Sequence, residues 1–261
     1  MDLRSLCNWL KANKISLNCG KTELLIFRHP NKQINYDLKI KINGKTLIAS
    51  KSVKYLGIVI DPHLNWSHHV DSLSSKLSRA IGMISKMRHF VSETTLRSIY
   101  YGIFSSLLTY GAQIWAQFNN KHVCRLQKLQ DRAIRRLNFA KPRDPPSPLY
   151  KRSAILKLSD HVKLQNFLYV HNSINGSLPE ALRNSFQMTS AIHDFDTRGS
   201  SQCKVILPKV RTLNYGLNSI NYKSAASWNL FMTIFCDKNL HRERRTICTK
   251  LITKYFLDSY I

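Results

Sequence analysis

Residues 53–84 read VKYLGIVIDPHLNWSHHVDSLSSKLSRAIGMI, and the apolar period changes inside that stretch. Val53 to Ile60 is short, apolar and rich in β-branched residues, which predicts a strand. Gly57 within it predicts a bulge or the close approach of another backbone. Asp61-Pro62 stops the strand, because proline lacks the N–H that a ladder needs. Beyond Pro62, Val70, Leu73, Leu77, Ala80, Ile81 and Ile84 recur at steps of three and four, the signature of one buried helix face. A chain that leaves the strand period and does not return to it is α+β: a small antiparallel sheet or hairpins first, then a mostly helical remainder.

The flanks agree. Upstream, Leu3, Leu6, Trp9 and Leu10 predict a short helix ending near Asn13, and Glu23 to Phe27 predicts a compact strand. Lys39-Ile40-Lys41-Ile42 alternates, Asn43-Gly44 follows, and Lys45-Thr46-Leu47-Ile48 resumes. Asn-Gly between two such runs predicts a hairpin, since both residues tolerate the positive φ of a type I′ turn. Downstream, Leu96, Ile99, Tyr100, Ile103, Phe104, Leu107 and Leu108 form a second helical stripe, with Ser92 as its N-cap. Its wide apolar arc predicts a central position among its neighbours. A third helix runs from Lys121 to Leu137. Residues 141–149 (KPRDPPSPL) hold four of the eight prolines and predict a linker. Helices around Ser159–Ser173, Tyr222–Phe235 and Arg242–Tyr255 follow, with a polar stretch near Gln187–Ser201 before the last two. The expected organisation is therefore strands over 1–62, helices over 63–140, the linker at 141–149 and a mostly helical domain over 150–261.

Charge narrows the function. Forty Lys and Arg against fifteen Asp and Glu give a net +25 and a pI near 10.1. Such a surface repels itself unless a polyanion is near, so nucleic acid is the first partner to consider. A membrane-surface protein would concentrate its charge in one basic amphipathic segment, whereas every fifty-residue block here is basic. No apolar stretch approaches the roughly twenty residues that span a bilayer. Met1-Asp2-Leu3-Arg4 is not followed by a signal-like core, and the six cysteines are scattered. An intracellular chain with free thiols is expected, nuclear and cytoplasmic locations being indistinguishable. The third helix concentrates the charge. Val123, Leu126, Leu129, Gln130, Ala133, Ile134 and Leu137 share one face, while Lys121, Arg125, Lys128, Arg132, Arg135 and Arg136 fall on the other. Only Asp131 interrupts the latter with opposite charge. Ordinary solvated faces mix signs for i,i+4 pairing; this one does not, and phosphate contact is expected there.

Catalytic motifs are scarce. Gly20-Lys21-Thr22 ends like a phosphate-binding loop, but that motif needs a glycine five residues earlier, where Ile15 stands. It also needs a helix to follow, and a strand is expected instead. His63, His68 and His69 lack a cysteine pair, and Cys236, His241 and Cys248 lack structural-zinc spacing, so no metal site is expected. No two carboxylates are adjacent, which makes a self-contained two-metal phosphoryl-transfer site hard to assemble. By its own residues the chain reads as a binder more than a catalyst.

Five stretches in order, NKISLNCGKTELLIF, SVKYLGIVIDPHLNWSHHV, TLRSIYYGIFSSLLTYGAQIW, LQKLQDRAIRRL and a tail with HDFDTRG and NYKSAASWN, resemble the C-terminal part of non-LTR (LINE-type) retrotransposon reverse transcriptases. The resemblance covers nearly the whole chain. It implies that the stretch from Asn18 to Phe27 closes the polymerase palm. It also implies that Tyr55, Leu56 and Gly57 belong to the hairpin supporting the primer end, and that the helices from Val70 to Leu137 form the thumb gripping an RNA–DNA duplex. Lys21 would then lie near the triphosphate as an acid or a charge, the other reading being a lysine that solvates a turn. The family's catalytic aspartates belong upstream of this point, and no Asp-Asp pair occurs. No cofactor is therefore expected in this chain, Mg2+ being required only by the full-length polymerase. The expected partners are RNA and DNA, as hybrid or primer–template, and the missing upstream reverse-transcriptase domains, but no membrane. After Trp228-Asn229 the chain departs from the family pattern, with Leu230-Phe231 in place of leucine–proline. Two other readings stand beside this one: a transposon-derived, non-enzymatic nucleic-acid-binding protein, and a helical interaction scaffold whose charge serves solubility.

Overall fold

A computed structural model describes residues 3–18, 20–31, 40–42, 45–117, 120–191, 203–236 and 240–260. Among the described residues the chain is α+β, with two separate two-stranded sheets and a mostly helical remainder. It divides into two compact units, Met1–His69 and Val70–Ile261.

The first unit opens with α1 (Leu3–Ala12), whose apolar stripe is real but buries no residue. Strands β1 (Ile40–Ile42) and β2 (Lys45–Leu47) pair antiparallel, Ile40 opposite Leu47 and Ile42 opposite Lys45. That register leaves the two-residue connection expected of Asn43-Gly44, which lies outside the described residues. Glu23–Phe27 is not a full strand. Leu24 makes an isolated parallel bridge to Ala49, and the Ser50 N–H donates to the Leu24 carbonyl at 2.7 Å.

The stretch VKYLGIVI is not one strand either. It folds back on itself as β3 (Val53–Tyr55) and β4 (Ile58–Ile60), with Val53 opposite Ile60 and Tyr55 opposite Ile58. Leu56 and Gly57 make the turn, at φ 45° and 85°, in the left-handed sense that matches strand twist. Gly57 therefore marks a turn, not a bulge. Asp61 then ends the hairpin: its carboxylate accepts the backbone N–H groups of His63 (3.0 Å), Asn65 (3.2 Å) and Trp66 (3.0 Å). This is the physical content of the Asp-Pro stop, a tight turn that leaves Trp66 buried.

In the second unit, α2 (Ser67–Met87) buries the predicted stripe from Val70 to Ile84. A continuous helical run follows as α3 (Glu93–Ile99), a π-helical turn over Tyr100–Ser105 and α4 (Ser106–Thr109). Ser92 caps it, accepting the Thr95 N–H at 3.2 Å. Leu96, Tyr100, Phe104 and Leu108 are buried along one side. Short α5 (Ala112–Trp115) starts after Gly111, which turns the chain at φ 61°. Next come α6 (Asn120–Leu137), α7 (Pro146–Ser153), α8 (Leu158–Ile174), short α9 (Glu180–Arg183), α10 (Ile220–Ile234) and α11 (Arg245–Asp258).

Two expectations change here. The run from Leu96 to Leu108 is one-sided, and the surrounded helix is α8, which buries ten of its seventeen residues. Phe167 of α8 stacks on Trp228 of α10 with ring centroids 4.8 Å apart, and Phe231 meets Phe167 edge-on at 5.6 Å. Residues 141–149 lie inside the second unit rather than between two units. Pro146 opens α7, where its missing N–H costs nothing because the first helical N–H groups have no partner anyway. Tyr150 of α7 is fully buried, and its hydroxyl donates to Asp131 of α6 at 2.8 Å. The far end of the chain closes the same layer. Tyr260 is buried, donates its hydroxyl to Asp160 at 2.8 Å, and accepts the Lys157 N–H at 3.0 Å. The polar stretch expected over Gln187–Ser201 lies in part outside the described residues.

Candidate nucleic-acid interface

Helix α6 is built as its pattern predicts. Leu126, Gln130, Ala133, Ile134 and Leu137 are buried. Gln130 is tolerated on that face because every polar atom is used: Nε2 donates to the Leu156 carbonyl at 2.9 Å, and Oε1 accepts the Leu158 N–H at 2.9 Å. The opposite face points to solvent, and its six cations are not equivalent. Arg125 forms an ion pair with Asp71 of α2. The Arg135 Nε donates to the Asp144 carbonyl at 2.8 Å, holding the turn that leads into α7. Lys121 is exposed at the start of the helix. Lys128, Arg132 and Arg136 have no acidic partner within ion-pair distance among the described residues. They follow one another at intervals of four, about 6 Å of helix rise per step.

Asp131 forms no ion pair with this row among the described residues. Its carboxylate accepts hydrogen bonds from Gln127 (2.9 Å) and Tyr150 (2.8 Å) within the packed layer. Burial and that neighbouring carboxylate push the Tyr150 phenol far above its ordinary pKa, so it stays a neutral donor.

Sequence reasoning missed the contribution of α2. Its outward side carries Lys76, Arg79 and Lys86, beside the apolar Gly82, Met83 and Leu107. The Asp71–Arg125 pair ties the start of α2 to the start of α6, and the Arg88 guanidinium lies 5.1 Å from the Phe139 ring centroid just past both C-terminal ends. The two helices therefore run in the same direction, side by side. The spacing of 76, 79, 83 and 86 was readable as the reverse face of the apolar stripe. The pairing of residues 71 and 125 was not.

The remaining candidates lie in the first unit. Lys21 is exposed on a turn organised by Asn18, whose Oδ1 accepts the N–H groups of Gly20 (3.0 Å) and Lys21 (3.2 Å). No helix follows it among the described residues through Asn31, which removes the geometry of a phosphate-binding loop. Tyr55, Leu56 and Gly57 form the tip of the β3–β4 hairpin, with Tyr55 63% and Leu56 71% exposed. A leucine at φ 45° is strained, and this one shows its side chain to solvent.

Among the described residues, no group of three or more His, Cys, Asp or Glu could hold an ion. His63 Nδ1 lies 3.0 Å from the Arg28 carbonyl, and His69 Nδ1 accepts the Val59 N–H at 3.4 Å. Cys248 is buried, and burial raises its thiol to about 11.

No family model and no solved structure matches the chain. Curated relatives do. The chain is 27% identical over 137 residues to the RNA-directed DNA polymerase from mobile element jockey of Drosophila melanogaster, covering 49% of this chain and 14% of that protein. It is 29% identical over 130 residues to the probable RNA-directed DNA polymerase from transposon X-element of the same species, with the same two shares. Against the Pol polyprotein of type-1 retrotransposable element R1 of Bradysia coprophila it is 25% identical over 114 residues, covering 42% of this chain and 11% of the relative. The aligned part of this chain thus spans about one seventh of the length of the first two. Over about half its length, the chain is similar to the RNA-directed DNA polymerases of non-LTR retrotransposons.

Proposed function

We propose that this chain is the C-terminal portion of a retrotransposon reverse transcriptase, and that it binds primer–template nucleic acid along the outward face of α6. The observation that carries this reading is the row Lys128, Arg132 and Arg136, three cations at one-turn intervals without acidic partners among the described residues. Lys76, Arg79 and Lys86 of the parallel helix α2 add a second group of outward cations, beside Leu107. Cations at regular spacing suit a phosphate backbone, and such contacts position a duplex without reading its sequence. The relatives' names supply the substrate class, RNA and DNA. In the complete polymerase the Tyr55-Leu56-Gly57 turn would support the primer end, and Lys21 would approach the triphosphate. With no adjacent aspartates, this chain alone extends no primer.

The test is binding of an RNA–DNA hybrid by the full chain over a salt series. Lys128→Glu, Arg132→Glu and Arg136→Glu should each weaken binding equally for unrelated sequences and lower the salt slope by about one. Melting should be unchanged, because the three side chains make no ion pair among the described residues. Affinity that ignores salt, or is insensitive to all three reversals, would refute the reading.

A further inference from the structure

Two aromatic side chains stand at the same end of the α2–α6 pair, and neither is explained by the core. Phe90, three residues past the end of α2, is 83% exposed. Phe139, two residues past the end of α6, is 51% exposed, with the Arg88 guanidinium over its ring. Phe139 also occupies an expensive backbone position. It has φ 55°, its N–H donates to the Arg136 carbonyl (3.4 Å), and the Ala140 N–H donates to the Arg135 carbonyl (2.9 Å). That is the helix-ending turn in which glycine is the usual residue, since a side chain is strained there. A phenylalanine in this place brings backbone strain and an exposed ring, with little burial to offset them. The surroundings are mostly positive. Residues 85–91 and 135–143 contain Lys86, Arg88, Arg135, Arg136, Lys141 and Arg143, and the adjoining carboxylate of Asp144 accepts the Lys141 backbone N–H at 2.7 Å.

We infer that Phe90, Arg88 and Phe139 form a stacking ledge for the bases of an unpaired strand leaving the duplex held along α6. This deepens the nucleic-acid reading above and rests on it. The pairing of aromatic faces with a clear excess of cations selects single-stranded nucleic acid over an apolar protein surface: bases stack on the rings or on the guanidinium plane, and their phosphates meet the lysines and arginines. Stacking of this kind is indifferent to sequence.

The full chain is titrated with a blunt RNA–DNA hybrid and with the same hybrid bearing a six-nucleotide single-stranded overhang that contains 2-aminopurine. The overhang should tighten binding about tenfold, the worth of one or two stacked bases, and change the 2-aminopurine emission. Phe90→Ala and Phe139→Gly should each remove most of that gain while leaving affinity for the blunt hybrid unchanged. Phe90→Trp should keep it. Phe139→Gly is the decisive variant, because glycine relieves the backbone and the protein should melt no lower than the parent. Equal affinity for blunt and overhanging hybrids, or variants that bind the overhang as the parent does, would overturn the ledge, leave the patch to a protein surface and leave the α6 reading standing. Absence of salt-dependent binding to either hybrid would overturn both.

Discussion

The two units of this chain are made from the same residue types and buried to very different degrees. Among the described residues, the first unit buries four apolar side chains, Ile42, Leu47, Ile58 and Trp66. The second buries thirty-four, including Trp115, Trp228, Tyr100, Tyr150, Phe104, Phe167 and Phe231. In the first unit Leu3, Trp9, Ile15, Phe27, Ile48, Tyr55 and Leu56 are exposed instead. Its sheets are hairpins of three-residue strands, short of what independent stability needs. The contrast teaches where rigidity is available. A row of cations at fixed spacing needs a helix that cannot shift, and α6 has one, clamped through Gln130, Asp131 and Tyr150. A turn that offers Tyr55 and Leu56 sits on a unit with little core of its own, as expected if further chain normally covers it.

The sharpest way to break this comparison is to damage the larger core. Trp228 is fully buried, stacks on Phe167, and donates its indole N–H to the Cys203 carbonyl at 3.0 Å. Trp228→Ala should cost about 3–5 kcal/mol, read as a fall in the denaturation midpoint of the second unit. A midpoint within error of the parent would mean that the aromatic layer does not hold that unit together.

The next effect is smaller and opposite in sign. Leu56→Asn converts the β3–β4 tip to Asn-Gly, the preferred type I′ pair, and should stabilise that hairpin by up to about 1 kcal/mol. Slower amide exchange across Val53–Ile60 would show it. Unchanged or faster exchange would mean that the leucine is not strained.

The smallest effect is a pH dependence. His161 on α8 is largely desolvated, which holds its imidazole below the ordinary histidine pKa. The unfolded chain therefore takes up the proton first as pH falls through about 6.5. Its contribution is fully present above that pH and is lost as pH drops toward the folded value. Urea midpoints at pH 7.5 and 5.5 should differ in that direction, and His161→Gln should reduce the difference.

Much of this was legible in the sequence, and the failures have identifiable causes. The helix periods located α2, α6, α8, α10 and α11, because each has a core to face. The β1–β2 pairing was legible because Asn-Gly between alternating runs is the cheap way to specify a hairpin. The Leu56-Gly57 hairpin was hidden because a leucine at positive φ is the costly way, and VKYLGIVI reads as one strand. Prolines at 145, 146 and 148 suggested a linker, yet the first turn of a helix is where proline loses least. In the candidate interface, the α6 row was visible as a charge pattern. That Arg125 and Arg135 are engaged depended on Asp71 and on the Asp144 carbonyl, contacts that no spacing rule supplies.

The central claim is that nucleic acid lies along α6, and lysine footprinting tests it most directly. The full chain is acetylated with and without an RNA–DNA hybrid at low salt, and modification is read residue by residue. The account predicts protection of Lys128, with Lys76 and Lys86 protected to a lesser degree, while Lys254 on α11 reacts as in the free chain. Lys128 reacting equally in the bound and free protein, with protection elsewhere, would contradict it.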